Sequence, residues 1–484
     1  MTWSSKVEKL HLDAGEIFHH ALEACSIEAA FDRHLRFEGN TLVRTISPLL
    51  PPSRIELKRF KQILVIAIGK AALPMLETLL SRMPRRKGMR GICCSPAIPR
   101  KRNWRIRYFA GGHPLPDKGS FDAAKQALHM LHRTRKDTFI FFLISGGGSA
   151  MFELPLDPDI SLEDTMAFHE ALVSSGATIA EINTVRKHFS AVKGGRLALA
   201  APDATKFSLL VPDVPLRHMD ALASSPTLPD RTTVAQTREI ISRFDLMEKF
   251  PMGVRAFFQR PDLPETPGLK DAVNHSATIS GSGQARYFPM PSASGNDPFG
   301  SGSIGLDTLL SSHDFINAAR DYARTLGYKV VIDDSCDDWD YAKAASYLLG
   351  RFHALRKEHP RFCLVSGGEV TVRLNGAAGS GGRNQQFALA CAIDLAKYKG
   401  EALVAFSAGS DGIDGNSAAA GAIADTSTVS RAQSFGFDPE ASLAGFNACP
   451  LFTALGDSVV TGPTGHNLRD LRLLIADQEF DPGI

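Results

Sequence analysis

The chain has 484 residues, with 54 Lys plus Arg against 52 Asp plus Glu. That length exceeds what one core supports, so two domains of roughly 150–250 residues are expected. A balance of +2 gives no electrostatic case for nucleic acid or an acidic membrane surface as partner. There is no apolar run of the roughly 18 residues a membrane helix needs, and the opening MTWSSKVEKLHLDAGE lacks a signal-peptide core, so a cytoplasmic protein is expected. The seven cysteines are scattered without zinc or redox spacing and read as reduced core thiols.

Phe18, Leu22, Cys25 and Ala29 recur at helical spacing and predict a packing helix, or a helical pair, within an N-terminal segment 1–50. The run Ile63–Ile68 predicts the first strand, and Gly69-Lys70-Ala71-Ala72 lets a helix leave it closely. Lys70 thus falls at the carboxyl end of a strand, the edge where open α/β sheets bind ligands, although a solvated lysine is the bland alternative. A short element near Gly91–Ser95 leads through a basic patch, Arg100 to Arg107, into GGHPLPD at Gly111. Two glycines and two prolines make that a shaped loop, in which His113 either touches a ligand or braces the turn. After a predicted helix, Phe121–His132, the run Phe139–Ile144 delivers Ser145, Gly146, Gly147, Gly148 and Ser149 to a helix start. Glycines there let a backbone approach an anion, and the first amides of a helix have no partner of their own; the competing reading is a tight turn. Strand, helix, strand in this rhythm argues a parallel, doubly wound sheet.

Ser161, Glu163 and Asp164 mark a helix start. Beyond it, Arg186, Lys187, Lys193 and Arg196 lie within about three helical turns, as an anion-binding wall or as a solvated basic face. The strand Phe207–Val211 ends in Pro212-Asp213, and Asp213 is placed to hold a metal, accept a proton or cap a turn. Residues 256–305 are rich in Pro, Ser and Gly and read as a linker or mobile loop between domains 1–255 and 306–484.

The second half predicts helices at Asp314–Leu326 and Tyr341–His359 and strands at Lys329–Ile332, Cys363–Val365 and Leu403–Phe406. The last two strands deliver SGGE at Ser366 and SAGSDGIDG at Ser407, and between them Gly381, Gly382 and Arg383 open a helix with an arginine at its mouth. Glu369, Asp411 and Asp414 are the hard-oxygen ligands Mg²⁺ prefers, or good turn residues. Glycine loops, cations and carboxylates at strand ends in both halves fit phosphoryl transfer, which needs a phosphate cradle, charge neutralisation and a metal. No P-loop or protein-kinase signature is present.

Taken together, GKAALPM at Gly69, GGHPLPD at Gly111, LISGGGSAM at Leu143, EINTVRKHFSAVKGGRLA at Glu181, SGGEVTV at Ser366, GSGGRNQQFALA at Gly379, SAGSDGIDG at Ser407 and TGPTGHNLRDL at Thr461 closely resemble the glycerate 2-kinase family, whose C-terminal part is the MOFRL domain. The resemblance implies ATP-dependent phosphorylation of D-glycerate to 2-phosphoglycerate with Mg²⁺. It also implies a Rossmann-like domain and a smaller α/β domain with the active site in the cleft between them, in a monomer or homodimer acting on small molecules. The lysine of GKA and the arginine of GGRNQ are essential in that family and stand here as Lys70 and Arg383. On this reading Ser145, Gly146, Gly147, Gly148, Ser149, Lys187, Lys193, Gly381 and Gly382 bind nucleotide phosphates. Asn183, Arg186 and His113 bind substrate, Asp213 serves as base or metal residue, and Glu369, Asp411 and Asp414 hold Mg²⁺. One stretch departs from the pattern: where the family reads SDV-x-GD and then ASGPT, this chain has Pro212-Asp213-Val214-Pro215-Leu216-Arg217 and Ala223-Ser224-Ser225-Pro226-Thr227. Two alternatives follow: a hydroxypyruvate reductase, which predicts a dinucleotide fingerprint that is not complete after the first strand, and a catalytically silent protein that binds glycerate or a related acid.

Overall fold

A computed structural model describes residues 3–45, 53–85, 87–214, 216–268, 304–374, 376, 379–465 and 467–477. The chain divides into two compact units, residues 30–310 and residues 1–29 with 311–484. This moves both expected boundaries. The N-terminal helix Trp3–Ala24 belongs with the C-terminal unit, where Phe18 packs against Phe315 and Phe406 with ring centroids 5.9 and 5.2 Å away. The expected helical segment 1–50 holds two helices and gives way after the second, Ile27–His34, to strands at Leu35–Glu38 and Thr41–Arg44. At the other end, Ile304–Thr308 is a strand of the first unit, and most of the expected linker, 269–303, lies outside the described residues.

The first unit is built on a six-stranded, wholly parallel sheet. In spatial order its strands are Ile106–Ala110, Met89–Ser95, Gln62–Ile68, Thr138–Ser145, Thr205–Val211 and Ile304–Thr308. The run TFIFFLIS is buried at every position, as a central parallel strand covered on both faces must be. Numbered along the chain the order is 3-2-1-4-5-6, so the winding direction reverses between Gln62–Ile68 and Thr138–Ser145. A crevice opens at the carboxyl ends of two such strands, because their following helices leave on opposite faces. Beside the sheet, helices Leu162–Val173, Ile179–Phe189, Val234–Arg243 and Met252–Gln259 close over a second core, with Phe168, Phe189, Phe250, Phe257 and Phe258 at its centre.

The second unit carries a mixed six-stranded sheet in the order Lys329–Ile332, Arg361–Gly368, Asp470–Asp477, Leu403–Gly409, Gly421–Asp425, Ser458–Val459. Only its first pair is parallel. Helix Arg383–Leu395 packs across it, with Phe387, Cys391 and Leu395 buried beside Leu403 and Leu474. None of the described helices is long and apolar enough to cross a membrane.

Candidate active site

In the first unit the switch point gathers the predicted groups from four segments. Lys70 N–H donates to the Gly146 carbonyl at 2.8 Å, and Ala71 N–H donates to Ser145 Oγ at 2.9 Å, so the two strand ends are laced together. Ser145 is therefore a buried brace rather than a ligand group. Gly147 takes φ +80° and turns the chain into the short helix Gly148–Met151. A Cβ on Gly147 would stand 3.1 Å from Lys70 Cγ and 3.3 Å from His113 Cδ2, which places both side chains over the loop. A Cβ on Gly146 would fall 1.9 Å from Asp213 Oδ2; the glycine lets that carboxylate rest on the backbone.

Behind the loop, Ser149 and Ser224 hydroxyls are 2.7 Å apart, and Ser224 donates to Asn183 Oδ1 at 3.1 Å. Ser224, which sequence reasoning did not select, thus ties the glycine loop to helix Ile179–Phe189. It does so from a backbone in which Ala223, Ser224 and Ser225 take φ of 49°, 55° and 57°. Arg186, on the same helix, is only 7 % exposed, and its Nε has no hydrogen-bond partner among the described residues. Burial lowers its pKa, and Glu153 acts in the opposite sense. His113 is held below the ordinary histidine range by partial burial, with Lys70 and Arg186 adding to the effect, so it is neutral near pH 7.

Two expected phosphate ligands are corrected. Lys187 Nζ lies 3.0 Å from Asp230 Oδ1, both side chains being 2 % exposed. Lys193 Nζ lies 2.6 Å from Glu153 Oε2, which His169 Nε2 also approaches at 3.1 Å. Lys193 further donates to the Phe152 carbonyl at 3.2 Å. A charge this deep is tolerable only when paired and hydrogen-bonded, so these ammonium groups serve the fold. Against the upward push of burial, Lys193 and His169 bring the Glu153 pKa down to about 2.

In the second unit Arg383 is the first residue of its helix, and its charge is already answered. Nε and Nη2 fork onto Asp470 at 2.7 and 2.9 Å, and Nη2 also lies 3.0 Å from Glu369 Oε1. Burial alone would lower the guanidinium pKa, but Asp470 and Glu369 outweigh it and the net shift is upward. Asp414 accepts from the amides of Asn384 at 3.0 Å and Gln385 at 2.8 Å. It caps the helix from outside, because Gly382 at the cap position has no side chain to do so. Burial raises its pKa to about 6, opposed by those two amides. Asp411 turns back to accept from Ile413 N–H at 3.2 Å.

The expected magnesium set is therefore not brought together: Asp414 is a helix cap, Glu369 faces Arg383, and among the described residues no three His, Cys, Asp or Glu side chains form a metal site. Beside Arg383 lies a pocket of about 500 Å³ walled by Glu369, Val370, Gly381, Gly382 and Phe446. Asp470 was legible only as part of the TGPTGHNLRDL motif, and nothing in the apolar stretch around Glu153 marks it out.

Residues 13–259 match the model of a domain of unknown function, DUF4147, and residues 362–470 match the MOFRL family. The glycerate 2-kinase of Pyrococcus horikoshii is 35% identical over 419 residues, covering 86% of this chain and 87% of its own. A protein of Agrobacterium vitis, provisionally named a hydroxypyruvate reductase, is 34% identical over 372 residues, 77% of either chain. The crystal structure of a glycerate kinase from Thermotoga maritima has a TM-score of 0.76 and 28% identity, covering 97% of this chain and all of that one. With both domain models matched in order and that level of identity across most of its length, the chain belongs to the glycerate 2-kinase family.

Proposed function

We propose that this protein transfers the γ-phosphoryl group of ATP to the C2 hydroxyl of D-glycerate, giving 2-phosphoglycerate and ADP. The observation that carries this reading is the switch point itself. There Lys70, His113 and Arg186 surround a glycine loop whose Gly147, Gly148 and Ser149 amides have no backbone acceptor among the described residues. Transfer of a phosphoryl group asks mainly for positioning and for answering negative charge. Lys70 and the loop amides meet the phosphate oxygens, while Arg186 and Asn183 hold the glycerate carboxylate and hydroxyls. Asp213, resting on Gly146, receives the C2 proton. Arg383, fixed in direction by Asp470, offers a second guanidinium for phosphate within its own unit.

When bound with ATP, Mg²⁺ would supply neutralisation of phosphate charge. Among the described residues, single carboxylates such as Asp411 would hold it, with no group of three ligands.

Purified protein with D-glycerate, ATP and Mg²⁺ should release ADP, and ³¹P NMR should show the ester at C2. NAD(P)H oxidation by hydroxypyruvate without ADP formation would establish the reductase reading instead. Glycerate binding without turnover would point to the silent reading and to the changes between Pro212 and Arg217, of which Pro215 lies outside the described residues.

A further inference from the structure

The basic patch singled out in the sequence lies outside the residues assigned to the reaction, and part of it lines a pocket. Ile106–Ala110 is one of the two edge strands of the parallel sheet, and the segment before it lies at the amino ends of the neighbouring strands. The pocket there measures about 540 Å³ and is lined by Lys87, Arg90, Arg105, Arg107 and Arg133, with no acidic side chain among the lining residues. None of these five cations forms an ion pair with a described carboxylate. In a chain whose net charge is only +2, that is a local concentration of uncompensated positive charge.

Two further observations point to a ligand. Arg105 Nε is buried without a hydrogen-bond partner. Trp104 is 84% exposed and takes the Arg105 guanidinium on one face at 4.7 Å, leaving the other free for a planar group. Gln62 and Met89, which also line the pocket, begin their strands, whereas Lys70 follows the opposite end of the strand from Gln62. Seven residues of extended chain put about 20 Å between the pocket and the catalytic edge.

We propose that this pocket is a second anion site that binds a nucleoside di- or triphosphate, its phosphates among the arginines and its base on Trp104. The cations come from three separate stretches of chain, which suits an extended polyanion better than one phosphate group. A single exposed indole suits one base; a nucleic-acid strand asks for a platform at each successive base.

Isothermal titration of the full chain with ADP tests this, using the native protein, the charge reversal Arg105→Glu/Arg107→Glu, and its milder counterpart Arg105→Gln/Arg107→Gln. Charge reversal should remove one equivalent of bound ADP while kcat for glycerate phosphorylation at saturating substrate stays unchanged. If the catalytic reading itself fails, the change runs from one equivalent to none, and the pocket still stands. The glutamine pair should weaken that equivalent by about tenfold or more, which guards against a misfolded reversal variant. Trp104→Phe should weaken ADP severalfold there and leave inorganic triphosphate unaffected. An unchanged number of ADP equivalents on charge reversal would overturn the proposal. So would triphosphate binding as tightly as ATP, or an oligonucleotide binding more tightly than either.

Discussion

The two glycine loops differ in how their polar groups are held. At Ser145–Ser149 the loop keeps amides and Lys70 open, and its support is conformational: hydroxyls of Ser149 and Ser224, and a run of left-handed backbone at Ala223–Ser225. At Gly379–Gly382 the support is electrostatic: Asp414 caps the helix that follows, and Asp470 with Glu369 neutralises Arg383. An open cation is available to a ligand but contributes little to folding. A clamped one is aimed, and its removal strands a buried carboxylate.

The largest test of that contrast is a pair of truncations. Lys70 is exposed, so Lys70→Ala should leave the melting temperature unchanged while kcat falls by about 10²–10³. Arg383→Ala should lower activity to a similar degree and also destabilise, because Asp470 is 1% exposed and loses its forked partner. An unpaired buried carboxylate costs on the order of 1–3 kcal/mol or more. Equal melting temperatures for the two variants would erase the distinction between the loops.

Asp470→Asn probes the clamp from its other side. The amide keeps one acceptor for the guanidinium and loses the charge, and Glu369 remains. A loss of about 2 kcal/mol is expected, seen as a lower urea midpoint with an unchanged slope. Activity should fall through a higher KM for ATP if Arg383 has lost its aim; an unaltered KM would mean that Glu369 alone orients it.

The same contrast explains what the sequence revealed. Strands such as Thr138–Ser145 are legible because both faces are buried and the run is unbroken. Ile106–Ala110 hides in a basic patch, since only Ile106 of this edge strand is buried. Lys70 and Gly146–Gly148 could be placed from local rules, because strand end and helix start are local. Lys187 and Lys193 could not, because their partners lie about 40 residues away at Asp230 and Glu153. Asp414 did leave a sign: a helix opened by Gly382 needs a cap from elsewhere.

Asp414 makes the electrostatic support depend on pH. Burial holds its folded pKa at about 6, above the ordinary aspartate range. The folded chain therefore holds this proton more tightly than the unfolded chain, and stability from it is complete below pH 4 and is lost as pH rises through 6. The span is on the order of 1–3 kcal/mol. Thermal melts from pH 4 to 7 should fall more steeply for the native chain than for Asp414→Asn. Parallel curves would show that the helix amides hold the carboxylate ionised throughout.

The smallest effect belongs to the conformational support. Ser225 has φ +57° at a position where the family pattern has glycine, between Ser224 and Pro226. A left-handed residue with a Cβ costs roughly 1–2 kcal/mol, and glycine removes most of that penalty while widening the unfolded ensemble. Ser225 Oγ also donates to the Leu228 carbonyl at 3.3 Å, a long bond whose loss partly offsets the gain. Ser225→Gly should thus stabilise the first unit by up to about 1 kcal/mol, readable as a higher melting temperature. Because Ser224 bridges Ser149 and Asn183 from the adjacent strained position, activity should hold only if that bridge survives. A variant that melts higher but turns over more slowly would show that the serine at 225 keeps the Ser224 hydroxyl on target. One that melts lower would show that the hydrogen bond to Leu228, rather than backbone strain, decides the balance at this turn.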